Sequence, residues 1–253
     1  MTTTNMSIFK IRSFSHRLIN FLRPKPRFMP LSVDQVLKNK DSLDTVNRFN
    51  DFYYMSGVAG DLNWQGLQMI KNPCDLWMSL LLFQKLKPTA IIETGTHHGG
   101  SATFYADMLK ALGIDCEVIT IDINPKWHFN PADKNIHSLI GYSTDENIVA
   151  KTREIVKNAQ KRRSGHVMLY LDSDHSQDNV FKEMNLYSDL VTPGSYMVVE
   201  DTNVNGHPSG ADHGPGPFEA VEQFLKTNDN FRIDKNCEKF LLTFNPSGWL
   251  IKK

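Results

Sequence analysis

Short apolar runs alternate along most of the chain with longer segments in which apolar residues recur every three or four positions. The short runs are typical of strands buried on both faces, and the longer segments are typical of helices that pack against such strands. This alternation predicts an α/β fold with a Rossmann-like, doubly wound sheet. The runs that predict strands cover residues 90–92, 118–121, 136–140, 167–171 and 196–199.

The C-terminal part of the chain has a different pattern. Residues 203–217 contain four glycines, three prolines and two histidines, which predicts a long loop without regular structure. We interpret it as a mobile active-site loop, because long irregular loops in compact domains are usually functional. Residues 231–233 and 240–244 then predict the two strands of a hairpin, and residues 245–248 predict a turn before Trp249.

Residues 90–101 carry the clearest ligand-binding signal, since an apolar strand runs directly into a glycine-rich turn. Gly95 permits a sharp turn, Gly99 and its neighbour allow a ligand to approach the backbone, and Ser101 is placed to cap the next helix. The following strand ends on Asp122, an acid that can accept hydrogen bonds from ribose hydroxyls. His97 stands where the G-x-G-x-x-G pattern has its second glycine, which argues against NAD and for a nucleoside ligand without a pyrophosphate.

Two further positions lie near this predicted pocket. Ser143 is on the turn after the third strand, a natural place for adenine contacts at the carboxyl edge of the sheet. Upstream, Asn72 and Pro73 have the positions of an N-cap and a first helical residue. Lys71 comes just before this cap, and two orientations are open to it, toward the ligand or toward solvent.

Acidic residues follow two successive strands of the predicted sheet. Asp172 ends the fourth strand, and Glu200 and Asp201 end the fifth, so a parallel sheet brings the three carboxylates to the edge that carries Gly95. Converging carboxylates repel one another unless a cation lies among them. An all-oxygen ligand set favours Mg²⁺, with Mn²⁺ and Ca²⁺ as alternatives. The other interpretation is that these acids cap helices or pair with Lys and Arg.

A histidine follows the first of these acids and is the predicted general base. His175 lies three residues beyond Asp172, where its imidazole can reach a hydroxyl held by the cation and take its proton at neutral pH. We expect His175 to stay outside the first coordination shell of the ion. Alternatively, it bonds only a backbone carbonyl. His207 and His213 are weaker candidates, because they lie on the predicted mobile loop and a base must be held rigidly.

The composition is that of an ordinary globular protein of 253 residues, with 40% hydrophobic and 22% charged residues. Three widely spaced cysteines without a C-x-x-C motif argue against a disulfide framework or a zinc site, and favour a reducing, cytoplasmic location. No stretch reaches the roughly 18 uninterrupted apolar residues that a membrane span requires.

Residues 1–50 predict a basic, amphipathic N-terminal extension that is distinct from the domain at residues 51–253. Residues 1–33 hold six Lys and Arg and no acid, so in a neutral chain residues 34–253 sum to −6, which argues against nucleic-acid binding. Residues 7–23 alternate apolar and basic side chains as an amphipathic helix does. Such a helix would lie peripherally on the inner face of a membrane, or pack on the body or on a second subunit, and a transit peptide is a third interpretation.

The motifs at residues 93–101, 172–176, 191–196, 200–203 and 239–246 occur in a characteristic combination. They resemble the family named for cephalosporin hydroxylase and rhamnosyl O-methyltransferase, within the class I S-adenosylmethionine methyltransferases. The resemblance implies a seven-stranded sheet with an antiparallel last strand, and S-adenosylmethionine and Mg²⁺ as cofactors. It implies Asp172, Glu200 and Asp201 as Mg²⁺ ligands. In related macrolide sugar O-methyltransferases the position of His175 holds the proposed base.

The predicted function is S-adenosylmethionine- and Mg²⁺-dependent O-methylation of a hydroxyl by a homo-oligomeric enzyme. The acceptor is a sugar or a glycosylated substrate, with the sugar free, nucleotide-linked or on a glycolipid. His175 and Asp172 are the predicted catalytic residues. The predicted cofactor-binding residues are Glu93, Thr94, Gly95, Gly99, Ser101, Asp122 and Ser143. Two alternatives remain: a non-haem iron hydroxylase, for which no H-x-D/E motif is found, and a non-catalytic, nucleoside-binding scaffold at a membrane.

Overall fold

The computed structural model describes residue 35 and residues 38–124 and 131–253. The strands are β1 (Asn63–Trp64), β2 (Leu67–Gln68), β3 (Pro88–Thr94), β4 (Glu117–Asp122), β5 (Ile136–Ile140), β6 (His166–Leu171), β7 (Tyr196–Val199), β8 (Phe231–Ile233) and β9 (Trp249–Lys252). The helices are α1 (Lys40–Met55), α2 (Pro73–Leu86), α3 (Gly100–Ala111), α4 (Glu146–Arg162), α5 (Gln177–Tyr187) and α6 (Pro217–Thr227). Short 3₁₀ helices cover Val58–Asp61 and Lys235–Glu238.

Seven of these strands form one sheet in the order β5-β4-β3-β6-β7-β9-β8, and β1 and β2 form a separate hairpin. The strands from β5 to β7 in this order pair in parallel. β9 runs antiparallel to both of its neighbours, β7 and β8. The α/β fold, the number of strands and the antiparallel C-terminal strand predicted above are therefore confirmed.

Two apolar layers cover the faces of this sheet. On one face, Val156, Met184 and Phe224 bring α4, α5 and α6 onto the strands. On the other face, α2 and α3 pack through Phe83 and Tyr105, whose rings meet edge-on at 5.6 Å. Every residue of β3 is buried between these layers. The central strand is therefore rigidly held, and it fixes the position of the turn that follows it.

Helix α1 packs against the C-terminal loop, so the predicted domain boundary at residue 50 falls inside a helix. Asn50 is buried, donates to the carbonyl oxygen of Leu241 at 2.9 Å and accepts from the backbone N–H of Thr243 at 3.1 Å. Residues 7–23, for which membrane contact is predicted, lie outside the described residues. Among the helices that are described, none has the length and apolar character needed to cross a bilayer.

The strand predicted at residues 240–244 is wrong. Two hydrogen-bond donors of this segment bind a buried acid on α2, and the segment pairs with none of the described strands. Asp75 accepts from the hydroxyl of Thr243 at 2.6 Å and from the backbone N–H of Phe244 at 2.8 Å. The last strand begins only at Trp249, whose side chain is fully buried.

The glycine turn after β3 differs from the prediction in two details. Gly99, in the left-handed conformation, precedes α3 as its N-cap, so Ser101 lies inside the first helical turn and does not cap it. A Cβ atom on Gly100 would lie 2.4 Å from the backbone oxygen of Gln68, so this glycine makes room for the β1–β2 hairpin and not for a ligand. Gly95, with φ at +90°, turns the chain as predicted, and a Cβ there would overlap the backbone of Asp172.

Candidate active site

A cavity of about 640 Å³ opens at the carboxyl ends of the parallel strands, where ligands bind in open α/β sheets. It has a nucleoside side, next to the turns after β3, β4 and β5, and an acid side, next to the ends of β6 and β7. The nucleoside side is lined by Gly95, Thr96, His97, Ser101, Ile121, Asp122, Ile123, Gly141, Tyr142 and Ser143. The acid side is lined by Tyr54, Met69, Ile70, Lys71, Asp172, Asp174, His175 and Asp201.

The structure brings four of the seven predicted cofactor residues to the cavity wall, namely Gly95, Ser101, Asp122 and Ser143. The other three, Glu93, Thr94 and Gly99, are not among the lining residues. The physical reason is their position in the fold, because Glu93 and Thr94 are fully buried within β3 and Gly99 is the cap of α3. The carboxylate of Glu93 accepts from the hydroxyl of Thr120 at 2.9 Å, which places it behind the turn.

Asp122 lies at the end of β4, and both of its carboxylate oxygens face backbone donors. One oxygen accepts from the N–H of His97 at 2.9 Å and the other from the N–H of Asn124 at 2.8 Å. These bonds fix the orientation of the carboxylate. Each oxygen has a second lone pair, so Asp122 can still accept from a ligand hydroxyl.

On the acid side, Asp172, His175 and Asp201 each offer a ligand atom within 4.8 Å of the others. The Nε2 atom of His175 is 3.4 Å from Oδ2 of Asp201 and 3.8 Å from Oδ1 of Asp172. Burial raises the pKa of Asp201 to about 6, with His175 acting against this shift and Asp172 adding to it. Two carboxylates and one imidazole suit a small divalent cation better than non-haem iron, whose usual triad has two histidines.

His175 therefore lies closer to the predicted metal position than we expected. Its ring nitrogen belongs to the group that can hold an ion, whereas the sequence predicts a histidine outside the first shell. The side chain is 37% exposed, which leaves it accessible from the cavity. The geometry is compatible with a ligand or with a base that contacts a bound hydroxyl.

Glu200, the third predicted metal ligand, is not part of that group and does not line the cavity. Its Oε1 atom is 2.7 Å from Nζ of Lys71, and the same nitrogen is 2.6 Å from Oδ2 of Asp172. Burial alone would lower the pKa of Lys71, but Asp172 and Glu200 raise it well above its usual value. Of the two orientations open to Lys71 in the sequence, the structure shows the one toward the site.

Tyr54, on α1, is a site residue that the sequence does not reveal. Its ring packs edge-on against Phe244 at 4.9 Å, and its hydroxyl faces the carboxylate of Asp201. Burial, together with the negative charge of Asp201, raises the pKa of Tyr54. Residues 68–70 line the cavity because the β1–β2 hairpin lies across α3. The Gln65-Gly66 pair, both at positive φ, is the sequence signal that would have predicted this hairpin.

The irregular segment at residues 203–217 has no strand and no helix before Pro217, as predicted, but it is folded around one carboxylate. Glu219 accepts from the side chain of Asn205 at 2.9 Å, from the N–H of Gly216 at 2.7 Å and from Nε2 of His207 at 3.0 Å. The ring of His207 stacks on Phe218. Neither His207 nor His213 lines the cavity, so the two rival bases are not brought to it.

Comparisons with known proteins agree with this architecture. A family model described as rhamnosyl O-methyltransferase/CmcI matches residues 56–253. A rhamnosyl O-methyltransferase of Mycobacterium leprae (strain TN) is 33% identical over 207 residues, which cover 81% of this chain and 89% of the relative. The protein of the same name from Mycobacterium tuberculosis (strain ATCC 25618 / H37Rv) is 33% identical over 211 residues, covering 81% and 83%.

Solved structures of CmcI show the same fold. One, described as holding Mg and SAM, is 23% identical, has a TM-score of 0.58 and covers 77% of each chain. Another, described as an apo-structure, is 24% identical with a TM-score of 0.57 and covers 76% of each chain. The matched region includes every described strand and all helices except α1. This chain belongs to the rhamnosyl O-methyltransferase/CmcI family.

Proposed function

We propose that this enzyme transfers a methyl group from S-adenosylmethionine to a hydroxyl of a sugar with the help of a divalent cation. One observation carries the proposal: a single cavity joins a nucleoside-type wall around Gly95 and Asp122 to a cluster of Asp172, His175 and Asp201. Such a cavity can hold a nucleoside cofactor and a metal-bound hydroxyl side by side. The curated relatives are named for methyl transfer to a rhamnosyl group.

The nucleoside side of the cavity is assigned to S-adenosylmethionine, which supplies an electrophilic methyl group when it is bound. Asp122 is oriented by two backbone N–H groups and accepts from the ribose hydroxyls. Ser143 and Tyr142 lie where the adenine is expected. Glu93, Thr94 and Gly99 support this wall from behind. The main contribution of the protein is alignment, which is worth roughly 7–11 kcal/mol in a well-oriented displacement.

The acid side is assigned to Mg²⁺. Asp172 and Asp201 present carboxylate oxygens to the cavity, and burial raises the pKa of Asp201 to about 6 despite the nearby His175, a cost that a bound cation would offset. Glu200 stays a predicted third ligand: Lys71 contacts its Oε1 atom and leaves the second oxygen for an ion. A bound cation lowers the pKa of a coordinated hydroxyl.

His175 is assigned as the base that accepts the proton of the sugar hydroxyl. Its Nε2 atom lies within 3.8 Å of the carboxylates of Asp172 and Asp201. A positioned base increases the rate of a reaction by about 10²–10⁴-fold. Asp172 and Asp201 orient the imidazole and stabilise the imidazolium that forms. Two neighbouring hydroxyls of a sugar can chelate the ion, which favours a sugar diol as the acceptor.

A panel of acceptors tests this function. Incubation with S-adenosylmethionine and free sugars, rhamnosyl glycosides or nucleotide-linked sugars should give S-adenosylhomocysteine and a methylated sugar, detected by mass spectrometry. Chelation with EDTA should abolish turnover and spare cofactor binding. The variant Asp172→Asn should be inactive, whereas Asp189→Asn, which breaks a surface ion pair with Arg153, should keep full activity. Full turnover after rigorous chelation would refute the metal assignment.

Three further proposals concern the assembly and the location of the enzyme. We expect a homo-oligomer, a cytoplasmic location, and peripheral membrane contact through residues 7–23. Deleting residues 1–30 tests the first and third, because either the sedimentation coefficient or binding to anionic vesicles should change. If the shortened and full chains behave alike in both assays, the extension has neither role.

A further inference from the structure

Lys71 is a buried lysine whose ammonium group lies among three acids, Glu93, Asp172 and Glu200. Its side chain is 5% exposed, and its Nζ atom is 2.6 Å from Asp172, 2.7 Å from Glu200 and 3.9 Å from Glu93. Within the described part of the chain, it is the only lysine or arginine at ion-pair distance from these three acids. A buried ammonium group is stable only when such partners compensate for its lost hydration.

The backbone on both sides of Lys71 fixes this position. Asn72 caps α2 by accepting from the N–H of Cys74 at 2.8 Å, and Met69 donates its N–H to the carbonyl oxygen of Leu62 at 2.8 Å. The segment is thus tied to a helix on one side and to the strand hairpin on the other. The side chain is buried and would lose its short contacts with Asp172 and Glu200 if it turned toward solvent, so its charge is a constant feature of the site.

The net charge of the site shows why the fixed positive charge of Lys71 is important. Ionised Glu93, Asp172, Glu200 and Asp201 contribute four negative charges, of which Lys71 neutralises one. The three that remain match one divalent cation together with the net single positive charge of S-adenosylmethionine. Without Lys71, four negative charges would attract cations more strongly and hold them longer.

We propose that Lys71 is a built-in cation that holds Asp172 and Glu200 together before the divalent ion binds and then competes with that ion for their oxygens. The inference rests on the proposed function. Lys71 is then a positioning residue whose ammonium group is attracted to the same carboxylate oxygens as the divalent cation. Lys71 thereby weakens metal binding and keeps the ion exchangeable.

The variant Lys71→Gln tests this directly, because it removes the charge and keeps a hydrogen-bond donor. In calorimetric titration of the metal-free protein with Mg²⁺, the variant should bind at least about tenfold more tightly than the unchanged chain. Lys71→Arg, which retains the charge, should bind within a few-fold of the unchanged chain. The matched control is Lys235→Gln, which removes a lysine paired with Glu238 at 3.0 Å outside the cavity and should leave Mg²⁺ affinity unchanged.

Equal or weaker Mg²⁺ binding by Lys71→Gln would overturn the inference, because Lys71 would then order the ligands without competing for them. If the unchanged chain binds no divalent cation at all, the metal part of the proposed function fails first, and the inference fails with it. The two failures are therefore distinguished by the titration of the unchanged chain.

Thermal unfolding provides a second measurement that does not depend on activity. Metal-free Lys71→Gln should unfold at a lower temperature than the unchanged chain, since its acids lose their internal partner, and Mg²⁺ should raise its Tm by more. A variant that stays unfolded at every Mg²⁺ concentration would also overturn the inference, because a divalent ion is expected to replace the ammonium group.

Discussion

The two sides of the cavity are built from the chain in different ways. The nucleoside side consists mainly of turns that directly follow β3, β4 and β5, so most of its residues come just after a strand. The acid side combines the end of α1, the segment before α2 and the ends of β6 and β7. The first side is determined by local order along the chain, and the second by tertiary packing. Substitutions on the nucleoside side should therefore weaken cofactor binding, whereas substitutions on the acid side should lower the rate of methyl transfer.

The largest effect is expected on the acid side, at the proposed base. His175→Ala should lower kcat by about 10²–10⁴-fold, the usual contribution of a positioned base. The Kd for S-adenosylhomocysteine, measured by calorimetry, should remain nearly constant because the nucleoside side is untouched. A normal kcat would show that His175 is structural. Complete loss of Mg²⁺ binding would show instead that it is a ligand.

The next effect concerns the stability of the segment at residues 203–217. Backbone and side-chain hydrogen bonds outweigh burial and lower the pKa of Glu219 from its usual 4.5 to about 2. A lowered folded-state pKa stabilises the fold above the unfolded value, so this contribution is lost as the pH falls from about 4.5 toward 2. Glu219→Gln should lower the free energy of unfolding by about 1–3 kcal/mol at pH 7. In urea unfolding, the free energy of unfolding of the variant should depend less on pH below about 4.5. Equal acid sensitivity of the variant and the unchanged chain would contradict this.

On the nucleoside side, the effect should appear in binding and not in chemistry. Asp122→Ala should weaken binding of S-adenosylhomocysteine by about 1–3 kcal/mol, because charge-assisted bonds to the ribose are lost. The rate at saturating cofactor should change much less. Tighter binding of NAD than of S-adenosylhomocysteine, measured in the same calorimeter, would contradict the assignment of this wall.

The smallest effect should come from the residue that α1 contributes. Tyr54→Phe keeps the ring contact with Phe244 and removes the hydroxyl that faces Asp201, so kcat/KM for the sugar should fall by about three- to tenfold. Phe52→Ala, at an exposed position of the same helix, is the matched control. A larger loss in the control would mean that α1 acts through its fold and not through Tyr54.

Sequence patterns predict the features that depend on chain order. The sheet, the Gly95 turn and the acids at the ends of β6 and β7 all follow from alternating runs and their last residues. The patterns do not predict Tyr54 at the site, because its contact with Asp201 joins residues that are far apart in the chain. They leave the orientation of Lys71 open for the same reason. The segment at residues 240–244 is apolar enough for a strand, but its donors are taken by Asp75.

The position of β9 has a consequence for how the chain reaches its fold during synthesis. Among the described strands, β8 pairs with β9 alone, although β8 is made 18 residues earlier, counting from Phe231 to Trp249. Until β9 leaves the ribosome, β8 has no partner and β7 presents an open edge that other chains can pair with. We therefore expect chains that stop before Trp249 to aggregate, and the last strand to act as the step that closes the sheet.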